Sequence, residues 1–505
     1  MNPENMKINY IDEPGIMFGH GQITDDPRKG LFMFGPYSNN SVSGLVSIGV
    51  IGPKYLTNKF KSFIEWLHSM TPSAGKNFPT FPGLESVYDL SINSGNVLSI
   101  EIPIEDINEA LKYTESHIRI YYLTENYAKR LKRFQLEEHH NVNLWFVLIP
   151  ESVYKSGFPK STTAVPSNEK NRIKLHKSEL GYSNQFLFQE YNEYSLAYSY
   201  KNHFHDQLKV KLLENQIITQ LLREETMNRI LSTVVGDNYR SDQILRSMTS
   251  WNLSNSIYYK VGGYPWILSS LRKDVCYIGL IYKNLENETD LRTACCGAQV
   301  FLDNGDGIVF RGNLGSWYNP ERREYHLSEQ EAYNLLKSTI DGYILKMNSD
   351  KYPKEVFLHS RTYFNDEEWA GFQSAVGSET KLIGIRIRRG SNFKMFRPNR
   401  YGVLRGTCLT VDTKQAYLFT TGFIPSLGTQ PSHETPNPLD ISIVRGDGDP
   451  LEICKDILAL TKLNYNTCNF GDGIPVTLRF ADRIGAILSS QHEAQKQILT
   501  FRNYI

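Results

Sequence analysis

Through the first 150 residues, short apolar runs rich in β-branched side chains alternate with stretches whose apolar positions fall on one helical face. The run LVSIGVIG at 45–52 predicts a strand, and FKSFIEWLHSM at 60–70 predicts an amphipathic helix after it. NVLSIEIPI at 96–104 repeats the strand signal before IEDINEALKYTE, and NVNLWFVLIPE at 141–151 closes the series. Alternation of this kind buries both faces of a parallel sheet, so residues 41–270 are expected to form a Rossmann-like α/β domain. Residues 1–40 carry short pieces punctuated by Pro and Gly and are expected to be a connector. A polar, Lys- and Ser-rich stretch at 152–191 predicts an insertion inside the domain. Beyond it come a helix near 201–213, a short strand at QIITQLL, and a helix through 241–259 that Gly262 and Gly263 should end.

A second domain is expected over 271–505. VCYIGLIYK at 275–283 starts it, and strands flanking DNGDG at 303–307 predict hairpins. That segment resembles half of a calcium loop, but no Glu stands where the loop would be completed. A long helix at 328–347, the strand EVFLHS, the helix DEEWAGFQSAV and the strand KLIGIRI follow, which is the order of an RNase-H-like fold. GIPV at 473–476 predicts a strand start after a Gly-rich loop, and RGDGDP at 445–450 predicts a turn. The final QILTFRNYI is apolar enough to pack.

Composition narrows the class. The chain has 505 residues, enough for several cores, and its 55 basic residues nearly balance 54 acidic ones, so a nucleic-acid surface would have to be a local patch. The N-terminus has no basic segment leading into an apolar one, and no apolar run reaches the ~18 residues of a membrane span, so a cytoplasmic protein without membrane contact is expected. Six cysteines form no CxxC pair and have no His at zinc-ligand spacing, which predicts reduced, buried thiols.

The candidate chemistry centres on HDQLK. On a helix His205 and Lys209 share a face, which two cationic groups tolerate best with an anion between them, and phosphate is the obvious one. Gln220 adds an amide and Lys260 ends the next long helix. An isolated HxxxK is more often a solvated face, so the motif alone leaves both readings open. Residues 381–405 carry eight basic residues with no acidic ones and interleaved Phe and Tyr. Arg386 and Arg388 should lie on one strand face and Arg389 on the other, followed by Lys394 and Arg397, so the stretch reads either as a nucleic-acid contact or as a solvated basic edge strand. His359 and Ser360 are adjacent on a strand, hence on opposite faces, and make no catalytic dyad.

With these elements in place, HDQLK, IITQLL and NSIYYKVGGYPW resemble the guide 5′-phosphate pocket in the MID domain of prokaryotic Argonautes, and the stretch from VCYIGLIY to IPVTLRFADRIGAIL resembles their PIWI domain. The resemblance implies that His205 stacks on or hydrogen-bonds the first guide nucleotide, that Lys209 and Lys260 bind its 5′-phosphate, and that Gln220 orients the phosphate or a metal. It further implies a Mg²⁺ ion in that pocket, held by Gln220 and the Ile505 carboxylate together with guide phosphates. Arg386, Arg388, Arg389, Lys394 and Arg397 would touch the guide or target backbone. In the PIWI part the first two catalytic carboxylate positions fall on Ile281 and Arg361, with Asp482 at the last, which implies a protein that does not cleave. The N-terminal and PAZ domains of long Argonautes have no counterpart here, so the resemblance is to a short Argonaute. That class works with an APAZ-containing effector, and for this layout the resemblance implies a TIR-APAZ partner that degrades NAD; sirtuin-like and nuclease effectors come next. A guide RNA, a single-stranded DNA target, defence against plasmids or phages, and an oligomer of heterodimers on activation belong to the same expectation. The competing expectations are an active RNase-H-like nuclease and a scaffold without a guide.

Overall fold

The computed structural model describes residues 6–37, 42, 44–73, 79–138, 141–157, 196–232, 239–269, 272, 274–284, 293–301, 307–316, 318–319, 324–347, 352–390, 393–398, 401–430, 434–490 and 499–505. The chain divides into two compact units. Unit one comprises residues 39–263, 284–293 and 486–505, and unit two comprises 1–38, 264–283 and 294–485.

Unit one is built on an all-parallel sheet in the order Leu98–Glu101, Ile48–Gly52, Leu144–Ile149, Thr219–Arg223. Every residue of the two central strands is buried, as a parallel sheet covered on both faces requires. The helix Lys54–His68 lays Leu56, Phe60, Phe63, Ile64 and Leu67 inward, with Phe60 packing on Phe146 at 5.0 Å between ring centres. Ile51, Tyr127, Leu131, Trp145, Val147, Phe204 and Leu208 belong to one apolar core. Its long helix, Ser116–Glu137, buries Arg119, whose guanidinium donates to the carbonyls of Tyr113 (3.0 Å) and Thr114 (3.1 Å). The expected 152–191 insertion lies outside the described residues beyond residue 157; its first residues form a short helix, Glu151–Ser156.

In unit two the main sheet runs Lys7–Tyr10, Thr407–Thr410, Gln415–Leu418, Leu439–Arg445, Lys381–Arg388, Glu355–Ser360, Val275–Asn284, Thr293–Phe301, Gly307–Ser316. Its centre is parallel, Val275–Asn284 and Lys381–Arg388 both running with Glu355–Ser360. The helices Glu329–Met347 and Asp366–Ala375 cover it through Leu336, Ile340, Trp369 and Phe372, packed with Ile278, Val356 and Leu358. On the helix Val476–Leu488, Thr477 meets the sheet: a Cβ added at Gly279 would lie 2.1 Å from its carbonyl, and its hydroxyl is 2.9 Å from His359 Nδ1. His359 is completely buried, and burial pushes its imidazole down to about 3.

Two expectations change. Residues 1–40 do more than connect: Lys7–Tyr10 pairs antiparallel with Thr407–Thr410, Ile16–Met17 bridges Ile23–Thr24 and Ile267–Leu268, and Glu13 is the carboxylate for the buried Arg405 (2.9 Å) and Lys462 (2.6 Å). These pieces are too short for a periodic signal, and all but the Ile16–Met17/Ile23–Thr24 pairing join residues hundreds of positions apart. GIPV begins no strand; Pro475 immediately precedes the helix Val476–Leu488, and its carbonyl accepts from Leu478 N and Arg479 N. Four cysteines, Cys276, Cys408, Cys454 and Cys468, are buried and unpaired by disulfides, while the side chains of Cys295 and Cys296 and most of the 303–307 turn lie outside the described residues.

Candidate functional site

In unit one the helix Phe204–Leu213 starts at His203, whose Nδ1 lies 3.3 Å from the Asp206 backbone nitrogen and 3.4 Å from Asp206 Oδ1. Both Lys209 and Lys211 are buried on it, so this is not a solvated amphipathic face. Lys211 is held by Glu125 at 2.6 Å and lies over the Tyr121 ring, a local packing role. Lys209 Nζ donates to the Thr219 carbonyl at 2.9 Å and to the backbone oxygen of Ile505 at 2.5 Å. From the end of the helix Tyr239–Lys260, Lys260 Nζ donates to the same Thr219 carbonyl at 3.0 Å and to Gln220 Oε1 at 2.7 Å. Lys209, Gln220, Lys260 and Ile505, far apart in sequence, therefore meet at one point.

The meeting point is set by the sheet. Among the described residues Thr219–Arg223 is an edge strand, paired in its sheet with Leu144–Ile149. After Lys260, Gly262 adopts φ +115° and its N–H donates to the Tyr259 carbonyl, turning the chain where a residue with a side chain would be strained. Sequence reasoning did not single out Thr219, which contributes a backbone carbonyl and so leaves no side-chain signal. It also passed over Ser256, whose hydroxyl donates to Gln220 Oε1 at 3.2 Å; its position one turn before Lys260 was the available clue.

His205 belongs to a neighbouring network. Its Nδ1 lies 3.0 Å from Asp206 Oδ1, and Lys201 Nζ lies 3.5 Å from the other carboxylate oxygen. Burial alone would raise the Asp206 carboxyl, but hydrogen bonds from His203 and His205, reinforced by their charges, outweigh it and hold the group well below the usual carboxylate range. Among the described residues His203, His205 and Asp206 are the one grouping of three His, Cys, Asp or Glu side chains close enough to share an ion.

Two buried ammonium groups converge here on one carbonyl, and buried positive charge favours an opposite charge nearby. An entering oxyanion would supply that charge. A divalent cation fits less simply. Gln220 Oε1 and the Ile505 oxygen are hard ligands of the type Mg²⁺ takes, but each already accepts from an ammonium. A divalent cation entering the pocket would compete with those ammonium groups for the same oxygens.

In unit two Ile281 is buried on its strand, Arg361 follows the strand Glu355–Ser360, and Asp482 lies on the helix Val476–Leu488. Arg361 and Asp482 come together: Arg361 Nη2 is 3.6 Å from one carboxylate oxygen, and Lys283 Nζ is 2.6 Å from the other. One carboxylate thus sits between two cations. Lys283 was not singled out in the sequence, although it shares a strand face with Ile281.

The basic stretch does not act as one surface. Arg386 is buried, 4.0 Å from Asp440 and with its guanidinium 4.0 Å from the Tyr363 ring centre, so it is engaged inside the sheet and removed from the expected backbone contacts. Arg405 is likewise internal, with Nη2 donating to Thr461 Oγ1 at 2.6 Å. Arg388, Arg389, Lys394 and Arg397 are exposed, Lys394 donating to the Thr435 carbonyl at 3.2 Å.

No family model and no curated protein matches the chain. Solved structures do. The Argonaute of Clostridium butyricum, bound to a guide DNA and a 19-mer target DNA, superposes with a TM-score of 0.64 at 16% identity, over 99% of this chain and 54% of that one. Aa-Ago with externally bound siRNA gives a TM-score of 0.56 at 16% identity, over 99% and 56%, and a crystal structure of Aquifex aeolicus Argonaute gives 0.52 at 14%, over 97% and 54%. The fold is therefore Argonaute-like, and the chain spans just over half the length of these structures. Among the described residues no helix is long and apolar enough to cross a membrane.

Proposed function

We propose that the chain is a guide-dependent nucleic-acid sensor that anchors a short 5′-phosphorylated strand, an RNA by the sequence resemblance, and pairs it with complementary single-stranded DNA. The observation that carries the reading is the convergence of Lys209 and Lys260 on Thr219 and Gln220, beside Ile505. Phosphate oxygens entering there would accept charge-assisted hydrogen bonds from two buried ammonium groups at once. Gln220, fixed by Ser256, would orient the phosphate, and His205 on the preceding turn would face the first nucleotide. Mg²⁺ would join only with the guide's phosphates, adding the positive charge that their convergence needs. The guide-bound and target-bound Clostridium butyricum structure makes the same use of an Argonaute-like fold reasonable here.

In this reading the chain does not cut. Two-metal phosphodiester cleavage needs several carboxylates around the ions, whereas Asp482 is faced by Lys283 and Arg361. Pairing would instead shift a conformational equilibrium shared with an APAZ-containing effector, TIR-APAZ in preference to a sirtuin-like or nuclease one, and NAD degradation would reside in that partner. The choice of effector, a role in defence against plasmids or phages, and assembly into an oligomer of heterodimers rest on the sequence resemblance alone.

The experiment is to purify the protein with its partner and end-label the nucleic acid that accompanies it. Short 5′-phosphorylated strands are expected, and the double substitution His205→Ala, Lys209→Ala should remove most of them. Absence of such strands from the wild-type complex would defeat the guide reading; their full retention by the variant would show that the pocket is elsewhere.

A further inference from the structure

The first turn of the helix Phe204–Leu213 gathers His203, His205 and Asp206, whose chemistry differs from that of the anion pocket. His203 stands just before the helix with extended backbone (φ −152°, ψ 115°), which brings its ring back over the turn that carries the other two. Its Nδ1 is 3.4 Å from Asp206 Oδ1, and His205 Nδ1 is 3.0 Å from the same oxygen. One ligand atom from each of the three side chains lies within 4.8 Å of the other two. Around a tetrahedral ion with bonds of about 2.0–2.1 Å, neighbouring ligand atoms are about 3.4 Å apart. Two of the three edges therefore already approach that length, and turning the two imidazoles closes the third.

The turn is held firmly enough to present these ligands. Phe204, between the two histidines, is part of the apolar core and meets Tyr127 edge-on, ring centres 5.6 Å apart. Asp206 is only 8% exposed, and its second oxygen, Oδ2, faces Lys201 Nζ at 3.5 Å. Lys201 thus stands behind the carboxylate, as an outer partner that orients a one-oxygen ligand, and leaves Oδ1 to the imidazoles. The side chains of His203 and His205 are 25% and 22% exposed, so an ion can reach them from solvent.

The ligand types select the ion. Two imidazole nitrogens and one carboxylate oxygen suit Zn²⁺ and its borderline neighbours Co²⁺, Ni²⁺ and Cu²⁺. Mg²⁺ and Ca²⁺ prefer oxygen throughout. Lys201 and the positive end of the helix further disfavour a cation that gains little from nitrogen.

We propose that His203 Nδ1, His205 Nδ1 and Asp206 Oδ1 bind one divalent transition-metal ion of the Zn²⁺ class, with water completing its coordination. The ion is distinct from the Mg²⁺ of the 5′-phosphate pocket, since it needs neither guide phosphates nor Gln220. By holding the His205 ring through Nδ1 it sets the orientation in which that side chain meets a first nucleotide. This last consequence rests on the function proposed above; the site itself does not.

The test uses the full chain, treated with a chelator and then titrated with Zn²⁺ by calorimetry and with Co²⁺ by visible absorption. One ion per chain is expected, with a cobalt spectrum of nitrogen and oxygen ligands that a large excess of Mg²⁺ leaves unchanged. His203→Asn keeps a side chain able to cap the helix, and His205→Gln keeps a polar one. Each should weaken Zn²⁺ at least about ten-fold, the loss that removing even an outer partner of a ligand causes. Circular dichroism of the ion-free variants checks that the helix survives. X-ray absorption of the Zn²⁺-loaded wild type needs no variant and should show two imidazoles and no sulfur. No one-to-one binding of either ion by wild type would reduce the cluster to a hydrogen-bonded network and overturn the proposal. So would zinc affinity that survives both substitutions, or sulfur in the coordination shell, which would move the ion to a cysteine. If metal binding fails while short 5′-phosphorylated strands still accompany the protein, this site falls and the guide reading stands. If the strands are absent but Zn²⁺ binds as expected, the guide reading falls and this site stands.

Discussion

His359 shows how much a single buried group can contribute to the pH response. In the folded chain its imidazole is held neutral down to about pH 3, whereas an unfolded histidine takes up a proton near 6.5. Below that value the unfolded state binds a proton that the native state refuses, so stability falls as the pH drops from about 6.5 toward 3, and the loss is complete only at the lower end. The full effect is on the order of 5 kcal/mol. Urea unfolding at pH 7 and pH 4 should show it, and His359→Gln should flatten the dependence whatever its effect at neutral pH. A variant as acid-sensitive as wild type would mean that other groups carry the response. At the same scale, Lys209 and Arg386 look alike in sequence, each a cation within a largely apolar run. Their surroundings separate them: Lys209 donates to the backbone oxygens of Thr219 and Ile505, while Arg386 has Asp440 and the Tyr363 ring.

At the scale of elements, the turn after the helix Tyr239–Lys260 positions the pocket. A Cβ at Gly262 would lie 2.9 Å from Arg502 Nη1, on a backbone whose positive φ resists any side chain. Gly262→Ala should therefore destabilise the chain by about 1–3 kcal/mol and weaken binding of a 5′-phosphorylated strand by displacing Lys260; chemical denaturation and anisotropy would check both. Full stability with normal binding would show that the turn tolerates other conformations. The strands and helices of this region were readable because parallel strands buried on both faces are continuous apolar runs, and Ile48–Gly52 and Leu144–Ile149 are such runs. The motif HDQLK was readable as a pattern, but its meaning was not. What decides it is the Thr219 carbonyl and the arrival of Ile505, which depend on tertiary placement and leave no trace in local spacing. The N-terminal strands were illegible for the same reason, since Lys7–Tyr10 is a strand only because Thr407–Thr410 is there to pair with it. Conversely, GIPV shows local propensity misleading: Ile and Val favour strands, but Pro before a helix start prevails.

At the scale of the whole molecule, the two compact units carry two different uses of positive charge. In unit one Lys209, Lys211 and Lys260 are buried; unit two buries Arg386, Arg405 and Lys462 yet leaves Arg388, Arg389, Lys394 and Arg397 exposed along one stretch. Guide-loaded protein offered a fully complementary target with Mg²⁺ or Mn²⁺ is expected to bind it and leave it intact. A product cut opposite the middle of the guide would show that carboxylates other than Asp482 assemble a metal centre. On the function proposed above, the protein alone, with guide and target, should also leave NAD unchanged, and NAD loss should appear only when a TIR-APAZ protein is added.

The place of Thr219–Arg223 at the margin of its sheet has one more effect. An interior strand would have its carbonyls occupied by neighbours on both sides, but the Thr219 oxygen is left to two ammonium groups that arrive from different helices. Lys209 and Lys260 are therefore less two separate grips than the jaws of one clamp with a common fulcrum. Shorten either jaw and the other keeps its seat on the Thr219 oxygen but has nothing to close against, so most of the grip goes with the first.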